Sequence, residues 1–183
     1  MTPWQMTLHR IRDAQIELAG IKPYRDFSPT PNPKASAGAI AAAEARIGHA
    51  LPPSYRAFLA AHDGWTRFFD GASLLGCANL GRRMYEDLAW AAYEASYSPS
   101  CHAPPTWSGR QAPSFIPFGV DLQATTLFAF DPTERADDGE LAVIAWIHEI
   151  GLRRENFCAL LETLLELCQA ERRDAELLPA RSA

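Results

Sequence analysis

Four places in this 183-residue chain set side by side residue types that can carry chemistry. In LPPSYRAFLAAHDGW, from Leu51 to Trp65, His62 adjoins Asp63 and Gly64, and an imidazole beside a carboxylate is the pairing of a general base. Cys101-His102 places a thiol next to a base. Asp131, Asp137, Asp138 and Glu140 gather carboxylates, and His148-Glu149 offers an acid and a base at the end of an apolar run.

None of the four extends into a catalytic constellation. Neighbours in sequence rarely point at one another, and Cys101-His102 has no evident third residue to orient it. The acidic group lacks the spacing of a calcium loop, and its glycine is misplaced. The chain has no GxSxG elbow, P-loop, GxGxxG fingerprint or HExxH helix. Cysteines 77, 101, 158 and 168 form no CxxC pair, so they read as reduced thiols packed as small apolar residues. The expectation is no enzyme, no cofactor and no metal.

The elements that must position these residues follow from periodicity. Residues 3–19 have helical spacing, and the proline-rich stretch 23–36 reads as an extended connector. Ser36 caps a helix that Gly48 ends. In the quoted stretch Tyr55, Phe58, Leu59 and His62 form one helical stripe after a proline start, with Asp63-Gly64 as the stop, so His62 reads as the last residue of an apolar face. WTRFF and ASLLG flank Asp70-Gly71, a two-residue hairpin signal. Residues 82–97 form an amphipathic helix, followed by the loop SPSCHAPPTWSGRQAP. The runs SFIPFG, TTLFAFD and LAVIAWI are strand-like, and short connections favour antiparallel pairing. Phe157, Leu160, Leu161, Leu164 and Cys168 line a last helix, and the tail 171–183 is expected to fray. The plan is α+β, a central mainly antiparallel sheet flanked by helices, in one domain with its core at about 37–168. The N-terminal helix and the connector pack on that core.

Charge is unevenly distributed. Between Gly119 and Ile150 lie seven acids (Asp121, Asp131, Glu134, Asp137, Asp138, Glu140 and Glu149) against Arg135 alone, although the whole chain carries only -5. A nucleic-acid binder needs a basic footprint, so no nucleic-acid partner is expected. The segment suits a protein partner with a basic surface. The first fifteen residues carry charges where a secretion signal needs an apolar segment, and the longest apolar run is far too short to span a bilayer. A cytoplasmic location, away from membranes, is the expectation.

The order of AIAAAEARIG, ALPPSYRAFLAAHDGW, SFIPFGVD, LFAFD, DGELAVIAWIHE and FCALLETLL resembles the SUKH superfamily. The first signature falls on Glu44, Ile47, Gly48, Leu51, Pro52, Tyr55, Phe58, Leu59, Asp63 and Gly64. The second falls on Phe115, Phe118, Gly119 and Asp121. The resemblance implies an α+β domain without catalytic activity. Bacterial members look like immunity proteins of polymorphic toxin systems, which bind a cognate toxin, often a nuclease, and block it. Fungal relatives act as regulatory interaction proteins, so the alternative is a regulatory or scaffold module for a housekeeping partner. After Asp121 this chain reads LQATTLFAFD where the family often has further glycines and polar residues. That departure lies near the expected binding surface and bears on the partner, not the fold. Candidate partner-binding residues are the aromatics Trp65, Phe69 and Trp107 and the acids Asp121, Asp137, Asp138, Glu140 and Glu149.

Overall fold

The computed structural model describes residues 2–96, 115–148 and 150–177. Five helices and six strands alternate as α1 (Pro3–Ile21), α2 (Ala37–Ile47), α3 (Pro53–Ala61), β1 (Trp65–Phe69), β2 (Ala72–Leu74), α4 (Arg83–Ser96), β3 (Ile116–Val120), β4 (Thr126–Arg135), β5 (Leu141–Ile147), β6 (Ile150–Arg154) and α5 (Phe157–Leu177). The strands form one sheet in sequential order, and every neighbouring pair is antiparallel. This is the α+β architecture expected from the sequence.

Local chemistry explains the boundaries. The Ser36 hydroxyl accepts from the Ala39 N–H at 3.1 Å to start α2, and Gly48 ends it at φ 73°. Pro53 opens α3 at a position whose N–H has no helical partner. Asp70 and Gly71 both take positive φ, 47° and 82°, as a tight two-residue hairpin turn requires.

Every residue of β5 is buried, so both its faces are covered, and α4 and α5 both contact it. The core centres on Tyr55, whose ring meets Phe118, Phe130 and Phe157 at centroid distances of 5.1, 5.4 and 5.1 Å. Burial without a partner would be costly for its hydroxyl, which donates to the Leu75 carbonyl at 2.7 Å. Helix α1 packs against α5. The connector runs beside β1: Ser28 N–H donates to Arg67 O at 2.9 Å and Asn32 N–H to Gly64 O at 3.2 Å. It therefore covers a sheet edge that would otherwise present unpaired backbone groups.

Three expectations change. Strand β6 was not evident in the sequence, because IGLRR is half-exposed and lacks an apolar alternation. Residues 171–177, expected to fray, continue α5. Glu171 ties them down, accepting from Lys22 at 2.7 Å and from Arg25 at 2.6 Å. His62 stands just outside α3, at φ -145°, half-buried between Phe58 and Trp65, and is not the last helical position of the stripe. Among the described residues, no helix is long and apolar enough to cross a membrane, and no group of three His, Cys, Asp or Glu could hold a metal ion.

Candidate functional site

The signature residues shape the framework. Glu44 accepts from the Leu51 N–H at 2.9 Å, joining the end of α2 to the start of α3. The Asp63 carboxylate accepts from the Cys77 N–H at 2.6 Å, which holds the exit of α3 against the segment after β2. Gly64 has φ 81°, and a Cβ there would lie 2.5 Å from the Gly76 nitrogen, so close backbone approach requires glycine. At Gly119 a Cβ would collide with the Phe128 ring. The second signature ends on Asp121, which accepts from Thr125 N–H at 2.8 Å, Thr125 Oγ1 at 2.6 Å and Thr126 N–H at 2.9 Å.

Those three bonds form the β3–β4 turn, and the tip of that turn borders a cleft. About 290 Å³ in volume, the cleft is lined by Arg67 and Ser73 of the first hairpin, Asn79 and Tyr85 at the approach to α4, and Leu122 and Gln123 of the turn. Its floor is apolar, including Leu74 and Val120, and Leu122 stands 77% exposed at its edge. The ion pair of Arg67 with Asp26 at 3.1 Å makes the charge here balanced. A concave surface with an apolar floor, an exposed leucine and neutral hydrogen-bonding groups can seat a protein side chain or a short segment.

The anticipated binding residues do not converge there. Trp65 and Phe69 are 3% and 4% exposed, so they are core residues and not anchors. Trp65 also directs its indole N–H to Ser28 O at 2.8 Å. Asp121 is buried and positions the cleft wall. Glu140 accepts from the Ser54 N–H and hydroxyl, both at 2.7 Å, which satisfies the N-terminus of α3. Among the described candidates, only Asp137 and Asp138 stand exposed, at the far end of β4 from Asp121. Ten residues of strand separate those ends by roughly 30 Å. Trp107, Glu149 and the Cys101-His102 pair lie outside the described residues.

The acidic excess of 119–150 also shrinks in three dimensions. Arg153, just beyond that window, pairs with Asp131 at 3.1 Å and with Glu134 at 2.6 Å. Burial alone would raise the Asp131 carboxyl, but hydrogen bonds from Thr133 and the Arg153 guanidinium outweigh it and hold it below the usual carboxylate range. His148 meets Asp70 at 2.8 Å, bridging two hairpin tips, so it has a structural partner outside the His148-Glu149 pair. Burial pushes the Cys77 and Cys168 thiols up to about 12, which fits inert packed thiols.

Sequence reasoning missed Leu122 and Gln123 as surface residues, although the signal was present: an apolar side chain directly after a turn-forming aspartate. A search of curated proteins found no match. The family model for the SMI1 / KNR4 family (SUKH-1) matches residues 34–163. That span contains α2 to β6, the start of α5 and every signature residue described above, and the chain belongs to this family.

Proposed function

We propose that the chain is a non-enzymatic immunity protein that binds a cognate protein toxin and blocks it by occlusion, with the cleft beside Leu122 at the centre of contact. One observation carries this reading. Glu44, Asp63 and Asp121 are engaged in building the fold, while the cleft keeps an exposed leucine above an apolar floor edged by hydrogen-bonding groups. A concave surface with an apolar floor and polar edges, on a rigid base, suits recognition of a protein partner. A stable complex would bury ~1,600 Å² in total, so the cleft would supply a central anchor point and surrounding surface the rim. Asp137 and Asp138 would sit on that rim or beyond it and act on the rate of encounter with a basic partner. The toxin's active surface, a nuclease cleft for example, would be covered without any reaction by this chain.

The test is capture with the tagged chain from its native cell, followed by expression of whatever co-purifies stoichiometrically. The expected partner arrests growth when expressed alone and ceases to do so when this chain is co-expressed. Leu122→Asp should weaken that complex by about tenfold or more, ~1.4 kcal/mol, with an unchanged melting temperature. A harmless housekeeping partner would replace immunity with regulation. Normal binding by Leu122→Asp would move the contact away from the cleft.

A further inference from the structure

The sheet has two edges, β1 and β6, and they differ. The connector hydrogen-bonds along β1. Among the described residues, only β5 and the strand's own Arg154 bond to the β6 backbone. The pairing pattern fixes which β6 groups face outward. His148 N–H donates to Thr125 O at 2.9 Å, toward β4, and the direction of the backbone groups alternates along a strand. Ile147, Ala145 and Val143 therefore face β6, where they pair with Ile150, Leu152 and Arg154. Gly151 and Arg153 point their N–H and C=O groups away from the sheet. The Arg153 carbonyl accepts from Arg154 Nη1 at 2.7 Å and keeps a second lone pair. The Arg153 N–H and both groups of Gly151 have no partner among the described residues.

Edge strands are commonly blunted by charges that project across them. Here both arginines are turned aside. Arg153 is drawn over β4 by Asp131 at 3.1 Å and Glu134 at 2.6 Å. Arg154 donates to Thr163 of α5 at 2.6 Å. Gly151, between them and the hairpin turn, leaves room for a second backbone to come close. On the α5 side of the strand, Leu152 is half-buried against the core and Ile150 is 47% exposed.

We propose that β6 pairs antiparallel with β6 of a second copy of this chain, around a twofold axis at Leu152, so that the two sheets become one. The register selects a second copy. With the axis at Leu152, Gly151 of each copy faces Arg153 of the other, each such pair exchanges both backbone hydrogen bonds, and every outward group of the strand is met. An axis at Gly151 would leave the Arg153 groups facing beyond the strand. An axis at Arg153 would do the same to Gly151 and set two guanidiniums directly opposite. In the Leu152 register the two Arg153 residues are diagonal neighbours at ~7–8 Å, each already neutralised by Asp131 and Glu134. Leu152 meets its own copy across the non-hydrogen-bonded position, with ~4.5 Å between Cα atoms, and Ile150 lies along the stem of Arg154. The cleft beside Leu122 is bounded by β1, β2 and the β3–β4 turn, toward the other side of the sheet, so pairing leaves one open cleft per copy. Failure of the pairing would leave the proposed toxin binding untouched.

The test is sedimentation equilibrium of the whole chain from about 10 μM to about 1 mM, beside amide hydrogen exchange read by nuclear magnetic resonance. A contact well under ~1,200 Å² is expected to give a dimer with a dissociation constant of about 100 μM. The Gly151 and Arg153 amides should gain protection as concentration rises, while the Leu152 amide, which faces β5, stays protected throughout. Gly151→Pro removes an outward N–H that the single copy does not use, so it should weaken the dimer by about tenfold or more at an unchanged melting temperature. Gly151→Ala keeps that N–H and should stay within about threefold of the parent. Monomers at the top of the concentration range would overturn the proposal, and so would a dimer whose Gly151 and Arg153 amides exchange freely. Protection of those amides at every dilution would assign the edge to a segment of this chain itself. Protection only after a captured partner is added would assign it to a strand of that partner, and either result rules out the second copy.

Discussion

At one end of β4 the Asp121 carboxylate is buried and takes three hydrogen bonds from Thr125 and Thr126. At the other end, in the turn between Arg135 and Leu141, Asp137 and Asp138 stand exposed. There the Asp138 carboxylate accepts only the local Glu140 N–H, at 3.0 Å. Both turns are acidic, short and flanked by apolar strands, and by composition they are alike. What separates them is the supply of donors. The β3–β4 turn is followed at once by two threonines whose N–H groups point back at the aspartate, so the charge is consumed locally and the apolar Leu122 is left at the surface. The β4–β5 turn instead has Gly139 at φ 86°, with Arg135 donating to its carbonyl at 2.7 Å, and its two aspartates remain in water. An acidic residue in a turn is therefore a scaffold or a contact according to its neighbours' donors.

The sharpest way to break the comparison is to remove Asp121. Asp121→Ala leaves the N–H groups of Thr125 and Thr126 without their acceptor and should cost roughly 3 kcal/mol, read from the urea midpoint. A midpoint within error of the parent would show that water replaces the carboxylate and that the two turns are energetically equivalent.

Glu140 divides the second turn internally, since it alone reaches another element. Glu140→Ala should lower stability by ~1–2 kcal/mol through loss of its two bonds to Ser54 at the start of α3. Asp137→Ala in the same assay should do almost nothing. Equal effects from the two substitutions would refute the division.

Acid sharpens the contrast along β4 itself. Because the folded Asp131 lies below its ordinary pKa, the stability it contributes is fully present above the unfolded value of about 3.9 and is lost as pH falls through the folded one. Glu171 has the same sign, since Lys22 and Arg25 outweigh its burial. The carboxylate contribution to melting temperature should accordingly hold down to about pH 4 and then drop, after a gentler loss that the lowered His62 pKa brings in as pH falls through about 6.5. Asp131→Asn should show a shallower drop, and an identical acid profile for that variant would count against the Arg153 pair as its source.

The smallest effect is expected at the exposed aspartates. Changing Asp137 and Asp138 to Lys should alter stability by no more than about 0.5 kcal/mol each. Against a captured partner, only the association rate should fall, with a difference that shrinks as salt rises. A change in dissociation rate that persists at high salt would place these residues within the contact itself.

Much of the framework was legible before any coordinates, because it depends on local rules. Ser36 and Gly48 mark the ends of α2 by capping and positive φ, and Asp70-Gly71 specifies its hairpin by a turn that matches strand twist. The stripe of Tyr55, Phe58 and Leu59 announces a buried helix face, and the apolar runs of β4 and β5 announce strands covered on both sides. Strand β6 escaped because a half-exposed edge strand with two arginines carries neither signal, and its pairing to β5 is a tertiary fact.

The surface was decided only by the tertiary structure, for one physical reason: burial and charge are properties of neighbours in space. Trp65 and Phe69 have the residue types of binding anchors, and only packing shows them enclosed. The acidic count of 119–150 looked like a field, yet Arg153 lies outside that window in sequence and beside Asp131 and Glu134 in the fold. Leu122 gains its meaning from chain segments tens of residues away. Periodicity and turn chemistry act within a few residues, so the sequence determines the elements and their order. Which side chains remain at the surface, and with what charge around them, depends on contacts between residues far apart in the chain.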